Sequence, residues 1–74
     1  MTYGVVLFHT TSSAIRAEKL LIGEGYAVKL VPTPRQFSSD CGIALRFEWD
    51  YREQVNLVLN GANVEFDTMR SLGG

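Results

Sequence analysis

The chain has 74 residues, 46% of them hydrophobic, and its seven basic and eight acidic side chains give a formal net charge of −1. A chain of this length makes one small domain, which buries only about 60% of the surface of its unfolded chain. The charges are dispersed and form no basic stripe along the sequence, which argues against nucleic-acid binding.

Export and membrane insertion are also disfavoured. No apolar run approaches the roughly 20 residues that cross a bilayer. The first four residues lack the basic region that opens a signal peptide. A single cysteine, Cys41, excludes an internal disulfide. We therefore expect a cytoplasmic protein that does not interact with membranes.

The first half of the chain predicts a strand, a helix and a second strand. Residues 3–9 are apolar and rich in β-branched side chains, which is typical of a central strand. The hydroxyl residues at 10–13 can cap a helix over residues 14–22, and Gly23 or Gly25 can end it. The second strand is predicted at residues 26–31.

The second half repeats this pattern. Residues 43–47 alternate between apolar and polar, which predicts a third strand with one solvated face. Asp50, followed by Glu53, has the spacing of a capping box, and the second helix should end at Gly61. Residues 64–67 predict the fourth strand. We expect a single domain over residues 1–67 and a flexible C-terminal tail over 68–74.

This order, β-α-β-β-α-β, predicts an α+β fold, the ferredoxin-like sandwich. Right-handed crossovers would place both helices on one face of a four-stranded antiparallel sheet in the order 4-1-3-2. The end of the first strand, the start of the first helix and the loop between strands two and three then share one end of the sheet. We therefore expect His9, the hydroxyl residues 10–13 and Cys41 to lie near one another.

The loop over residues 31–42 holds both prolines, Pro32 and Pro34, together with Arg35 and Cys41. It is about twice as long as a usual connection between paired strands, and long loops are often functional. The prolines restrict their own backbone and that of the preceding residues. This composition predicts a stiff loop that presents Cys41.

Several neighbours bear on the reactivity of Cys41, because the thiolate is the nucleophilic form of cysteine. The start of the first helix, Arg35 and a protonated His9 would favour the thiolate, whereas Asp40 would oppose it. Gly42 leaves backbone N–H groups accessible to an anion on the sulfur. The competing interpretation is a buried, inert cysteine, the commonest fate of a free thiol.

The sequence also bears on other chemistries. A Cys-His hydrolase with His9 as base has little room for a substrate cleft in 74 residues. One cysteine and one histidine lack the ligands for a metal. Acylphosphatase needs an arginine in the first strand–helix loop, and residues 9–13 contain none. A small-molecule-binding regulatory domain of ACT-like topology stays open as an alternative, and it predicts that Cys41 is dispensable.

The segments KLVPTPR at 29–35 and SSDCGIALRF at 38–47 resemble the family called Putative Se/S carrier protein-like, and AIRAEKLL at 14–21 is similar to its first helix. The resemblance covers residues 6–47. It implies that Cys41 carries selenium or sulfur as a persulfide or selenopersulfide. The residues it implies as the setting of that thiol are Pro32, Pro34, Arg35, Ser38, Ser39, Asp40 and Gly42.

The resemblance also implies the partners. A carrier needs a sulfur or selenium donor, such as a cysteine desulfurase, and an acceptor protein. It needs an accessible thiol but no cofactor and no metal, so we expect an accessory protein rather than a turnover enzyme. The apolar residues Val6, Phe8, Ala27 and Ala44 further suggest a homodimer that pairs through the sheet.

Overall fold

The computed structural model describes residues 2–37 and 41–73. The elements are β1 (Tyr3–Leu7), α1 (Thr11–Gly23), β2 (Lys29–Pro32), β3 (Ile43–Glu48), a 3-10 turn (Trp49–Tyr51), α2 (Arg52–Gly61) and β4 (Thr68–Ser71). The strands form one antiparallel sheet in the order β2-β3-β1-β4. The predicted α+β fold and strand order are confirmed.

The fourth strand lies later in the chain than the sequence predicted. β4 pairs with β1, and Met69 is the register partner of Val6. The prediction of a strand at 64–67 is wrong, because these residues connect α2 to the sheet. The Val64 amide donates a 2.9 Å hydrogen bond to the carbonyl of Leu59, which closes the end of α2. β4 therefore uses four residues that were assigned to the tail.

The helix ends follow the predicted chemistry at α1 but not at α2. Thr10 caps α1, since its side-chain oxygen accepts from the Ser13 amide, and Gly25 takes the left-handed conformation beyond its end with φ +93°. The capping box at Asp50 is not formed. Asp50 lies in the 3-10 turn, and Tyr51 precedes α2 without a side-chain cap. Both helices nevertheless end close to their predicted last residues.

The two faces of the sheet have different partners, because successive side chains of a strand point to opposite sides. One face packs against both helices, as predicted, and forms the main core. The residues of this helix-side core include Val6, Phe8, Leu45 and Phe47 from the sheet side with Ala14, Ala17, Leu21, Val55 and Leu59 from the helices. The other face, which we call the open face, has a smaller buried cluster of Val5, Leu7 and Ala44, packed by Val31, Phe37 and Leu72.

This division corrects the surface on which the homodimer was predicted. Val6 and Phe8 lie in the helix-side core, whereas Ala44 belongs to the cluster on the open face. They therefore do not form one apolar surface, and the homodimer stays a prediction. Across residues 2–37 and 41–73, no helix is long and apolar enough to cross a membrane.

Candidate functional site

The loop between β2 and β3 is closed at its base by Thr33. The register pair Pro32–Ile43 ends the ladder between the strands. One residue further, the Thr33 amide donates a 3.0 Å hydrogen bond to the carbonyl of Gly42. The Thr33 hydroxyl also donates a 2.9 Å hydrogen bond to the carbonyl of Cys41. The backbone that follows the thiol, at Cys41 and Gly42, is therefore held to the residue after β2.

Cys41 lies in the helix-side core, and only 4% of its surface is exposed. Its position in the chain explains this. Leu45 and Phe47 point toward the helices, and Cys41 has the same parity, so its side chain continues their row. The expected accessible thiol is not present in this conformation. Any chemistry at Cys41 requires the loop to move.

The thiol lies at the start of α1. The Cys41 Sγ is 3.6 Å from the Oγ1 of Thr11, the first residue of the helix, within hydrogen-bonding distance for sulfur. This confirms that the hydroxyl residues and Cys41 share one end of the sheet. The first N–H groups of a helix have no partner within it and form its positive end. The Thr10 side chain accepts from one of them, that of Ser13, at 3.2 Å. An anionic group on Cys41 would thus lie near the positive end of α1.

The other predicted site residues are distributed around this loop. Arg35 is exposed in a turn closed by a 3.0 Å hydrogen bond from the Phe37 amide to the Pro34 carbonyl. Pro32 ends β2, and Gly42 is exposed with open space around its Cα. The remaining three predicted site residues, Ser38, Ser39 and Asp40, lie outside the described residues.

His9 is exposed and lines a cavity of about 690 Å³ between the end of β1 and the segment after α2. The other lining residues are mostly polar: Asn60, Asn63, Val64, Glu65, Phe66 and Asp67. His9, two residues after β1, thus lines this cavity. In the part of the chain that the structure describes, no group of three His, Cys, Asp or Glu side chains could hold a metal ion.

Two threonines that contact Cys41 were not among the predicted site residues. Thr33 lies between the two prolines, and its hydroxyl and amide close the loop. Thr11 was predicted only as one of four hydroxyl residues near a helix start, and the structure places it beside the thiol. The position of Thr33, between the proline that ends β2 and a second proline, is a sequence signal for its contact with Cys41. No local signal distinguishes Thr11 from Thr10 or Ser12.

Comparison with known proteins identifies one matching family. The family model described as "Putative Se/S carrier protein-like" matches residues 3–70. No curated protein and no solved structure matches the chain significantly. The family match runs from β1 into β4 and contains Cys41, its loop and both helices. The chain therefore belongs to the Putative Se/S carrier protein-like family.

Proposed function

We propose that the protein carries one sulfur or selenium atom on Cys41, as a persulfide or selenopersulfide. The observation that supports this best is the position of the thiol, whose Sγ lies 3.6 Å from Thr11 Oγ1 at the start of α1. A terminal sulfur or selenium on cysteine is readily ionised, and a helix start favours anions. Membership of the Se/S carrier family supports the same role.

The loading step needs no oxidant. The Cys41 thiolate attacks the outer sulfur or selenium atom of a donor persulfide or selenopersulfide. The bond between that atom and the donor's cysteine sulfur breaks, and the donor leaves as a thiolate. Release is the same step with an acceptor thiolate as the attacking group. A protein of the cysteine desulfurase type supplies such a donor, and an acceptor protein takes the atom.

The burial of Cys41 defines how loading is controlled. Both the attack and the release need the thiol to leave the helix-side core, and the two hydrogen bonds of Thr33 to Cys41 and Gly42 would oppose that movement. Each such bond contributes about 1 kcal/mol, so this opening is a local event rather than global unfolding. In the closed form, burial keeps the Cys41 thiol away from solvent.

The remaining loop residues would act in the opened state. Arg35 is exposed in the same loop and would neutralise the charge on the carried atom. Ser38 and Ser39 would donate hydrogen bonds to it, and Gly42 would leave room for backbone N–H groups to approach. Pro32 and Pro34 would limit the loop's conformations. Asp40 would oppose the thiolate, and a protonated His9 would add positive charge at this end of the sheet.

Intact mass spectrometry tests the carrier function. The protein is incubated with a cysteine desulfurase and either cysteine or selenocysteine. We expect a mass gain of one sulfur or one selenium atom that a small dithiol removes, and no gain in Cys41→Ser. Iodoacetamide should label Cys41 in the folded protein, faster as pH rises, because the thiolate is the reactive form. Labelling that occurs only in denaturant would show a core cysteine and contradict the carrier function.

The cavity at His9 favours a second candidate, the small-molecule-binding regulatory domain. Its volume of about 690 Å³ suits a small ligand, and polar side chains such as Asn60 and Asp67 line it. A thermal-shift screen with amino acids tests this, because a ligand that binds only the folded state raises its stability. A clear shift that persists in Cys41→Ser would favour the regulatory domain over the carrier.

A further inference from the structure

Three basic residues that are far apart in the sequence form a row across the open face of the sheet. Lys29 on β2 is the register partner of Arg46 on β3, Arg46 is that of Val5 on β1, and Val5 is that of Arg70 on β4. Register partners point to the same side of a sheet, and neighbouring strands lie about 4.8 Å apart. We propose that this row and Tyr3 bind single-stranded nucleic acid.

The open face carries an excess of basic side chains. Its strands hold Lys29, Arg46 and Arg70 with one acidic residue, Glu48. Asp67 also borders this face, because it lines a cleft with Arg70. The rest of the chain has four basic and six acidic residues. None of the three basic side chains forms an ion pair with any residue that the structure describes. The open face thus has more basic than acidic side chains in a protein whose net charge is −1.

Aromatic rings accompany the charges. Tyr3 is 40% exposed, and the Arg46 guanidinium lies 4.6 Å from the centre of its ring. These two residues and Lys29 line a cleft of about 300 Å³. A second cleft, of about 330 Å³, is lined by Phe37 and Arg70 among others. Each cleft therefore combines a ring with a cation, and each also holds one carboxylate, that of Glu48 in the first cleft and that of Asp67 in the second.

This combination is complementary to a polynucleotide strand, which alternates planar bases with phosphates. Bases stack on aromatic and guanidinium planes, while basic side chains neutralise the backbone. An acidic peptide would use the cations but has no need of the two rings. The row also disfavours a symmetric homodimer through this face, because the basic side chains of the two copies would face and repel each other. The sequence argued against nucleic acid because it has no basic stripe, and the sheet builds one from separate strands.

Fluorescence anisotropy with labelled oligo-dT and oligo-U, about 16 nucleotides long, tests the proposal. We expect saturable binding to the single strands at low salt. The logarithm of the affinity should fall with the logarithm of the salt concentration with a slope of about −2, because each phosphate contact on a single strand contributes about 0.7. Cys41→Ser should bind equally well, so failure of the carrier function leaves this test intact.

Variants of the cations locate the site. Lys29→Gln, Arg46→Gln and Arg70→Gln should each weaken binding about threefold to tenfold and reduce the salt slope by about 0.7. Lys19→Gln is the matched control, because Lys19 is an exposed lysine on α1, away from the sheet. Thermal melts show whether each variant folds. If Arg46→Gln fails to fold, Lys29→Gln still tests the proposal, because Lys29 is exposed.

A second pair of variants tests stacking. Tyr3→Leu should weaken binding about tenfold, since stacking of one base contributes about 1–3 kcal/mol. Tyr51→Leu is the control, because Tyr51 is similarly exposed but packs edge-on against Tyr26 rather than on the open face. Three results would overturn the proposal: no saturable binding at low salt, equal losses in Lys29→Gln and Lys19→Gln, or competition by a polyglutamate peptide as effective as that by unlabelled oligo-dT.

Discussion

The Thr33 hydroxyl donates a 2.9 Å hydrogen bond to the carbonyl of Cys41, the residue whose thiol lies in the helix-side core. The Thr33 amide holds the next residue, Gly42, at 3.0 Å. Thr33, the residue after β2, thus holds Cys41 and Gly42, which are part of the loop that must move before the thiol can react. Control of the carrier site is therefore expected at Thr33, eight positions before the cysteine.

Thr33→Val should speed the labelling of Cys41 by iodoacetamide in the folded protein. Valine keeps the branched shape but removes one hydrogen bond worth about 1 kcal/mol, so the open form should be about fivefold more populated. Thr33→Ser keeps the hydroxyl and should label at nearly the wild-type rate. Equal rates for the wild type and Thr33→Val would show that this bond does not limit access.

Arg35→Ala should slow the same labelling reaction at neutral pH, by about twofold to fivefold. In the proposed carrier the exposed guanidinium would attract the anionic form of the sulfur when the loop opens, and a surface charge contributes a fraction of a kcal/mol to about 1 kcal/mol. The effect should shrink at high salt, because exposed charges are screened. Lys19→Ala removes an exposed charge from α1 and serves as control. An unchanged rate in Arg35→Ala would remove Arg35 from the site.

Gly4→Ala should destabilise the fold by about 1–3 kcal/mol, as overpacking does. A Cβ at Gly4 would overlap the Trp49 ring and lie 3.0 Å from the backbone oxygen of Arg70. Urea unfolding gives the free energy. Gly23→Ala is the control, because no atom lies within 4 Å of a Cβ there, and alanine is favoured over glycine in a helix. Similar stabilities for the two variants would contradict this packing at β1.

Deletion of residues 68–74 should strongly destabilise the protein, although the sequence predicted a flexible tail. The deletion removes the pairing of β4 with β1 and exposes the surfaces that Met69 and Leu72 cover. Burial of two such side chains contributes about 3 kcal/mol, a large share of the stability of a small domain. Deletion of residues 73–74 alone should have little effect. A thermal melt that is unchanged after the longer deletion would show β4 to be dispensable.

Local patterns predicted most of the fold. The alternation in residues 43–47 identified β3, and the hydroxyl residues before residue 14 located the start of α1 to within three residues, because both signals depend on neighbours in the chain. β4 was missed for the same reason. Its sequence, Thr68–Ser71, has one large apolar residue, and its strand conformation comes from the ladder with β1. The apolar alternation at residues 64–67 instead packs Val64 and Phe66 around the end of α2.

The candidate site divides in the same way. Composition alone singles out Cys41, since it is the only cysteine and lies in a loop with both prolines and Arg35. The packing of distant segments buries this thiol beside Thr11 and lets Thr33 bind the Cys41 carbonyl. The same packing brings Lys29, Arg46 and Arg70 into one row. Burial and charge rows depend on strand register between distant segments, and a one-residue shift of register would turn every side chain to the other face.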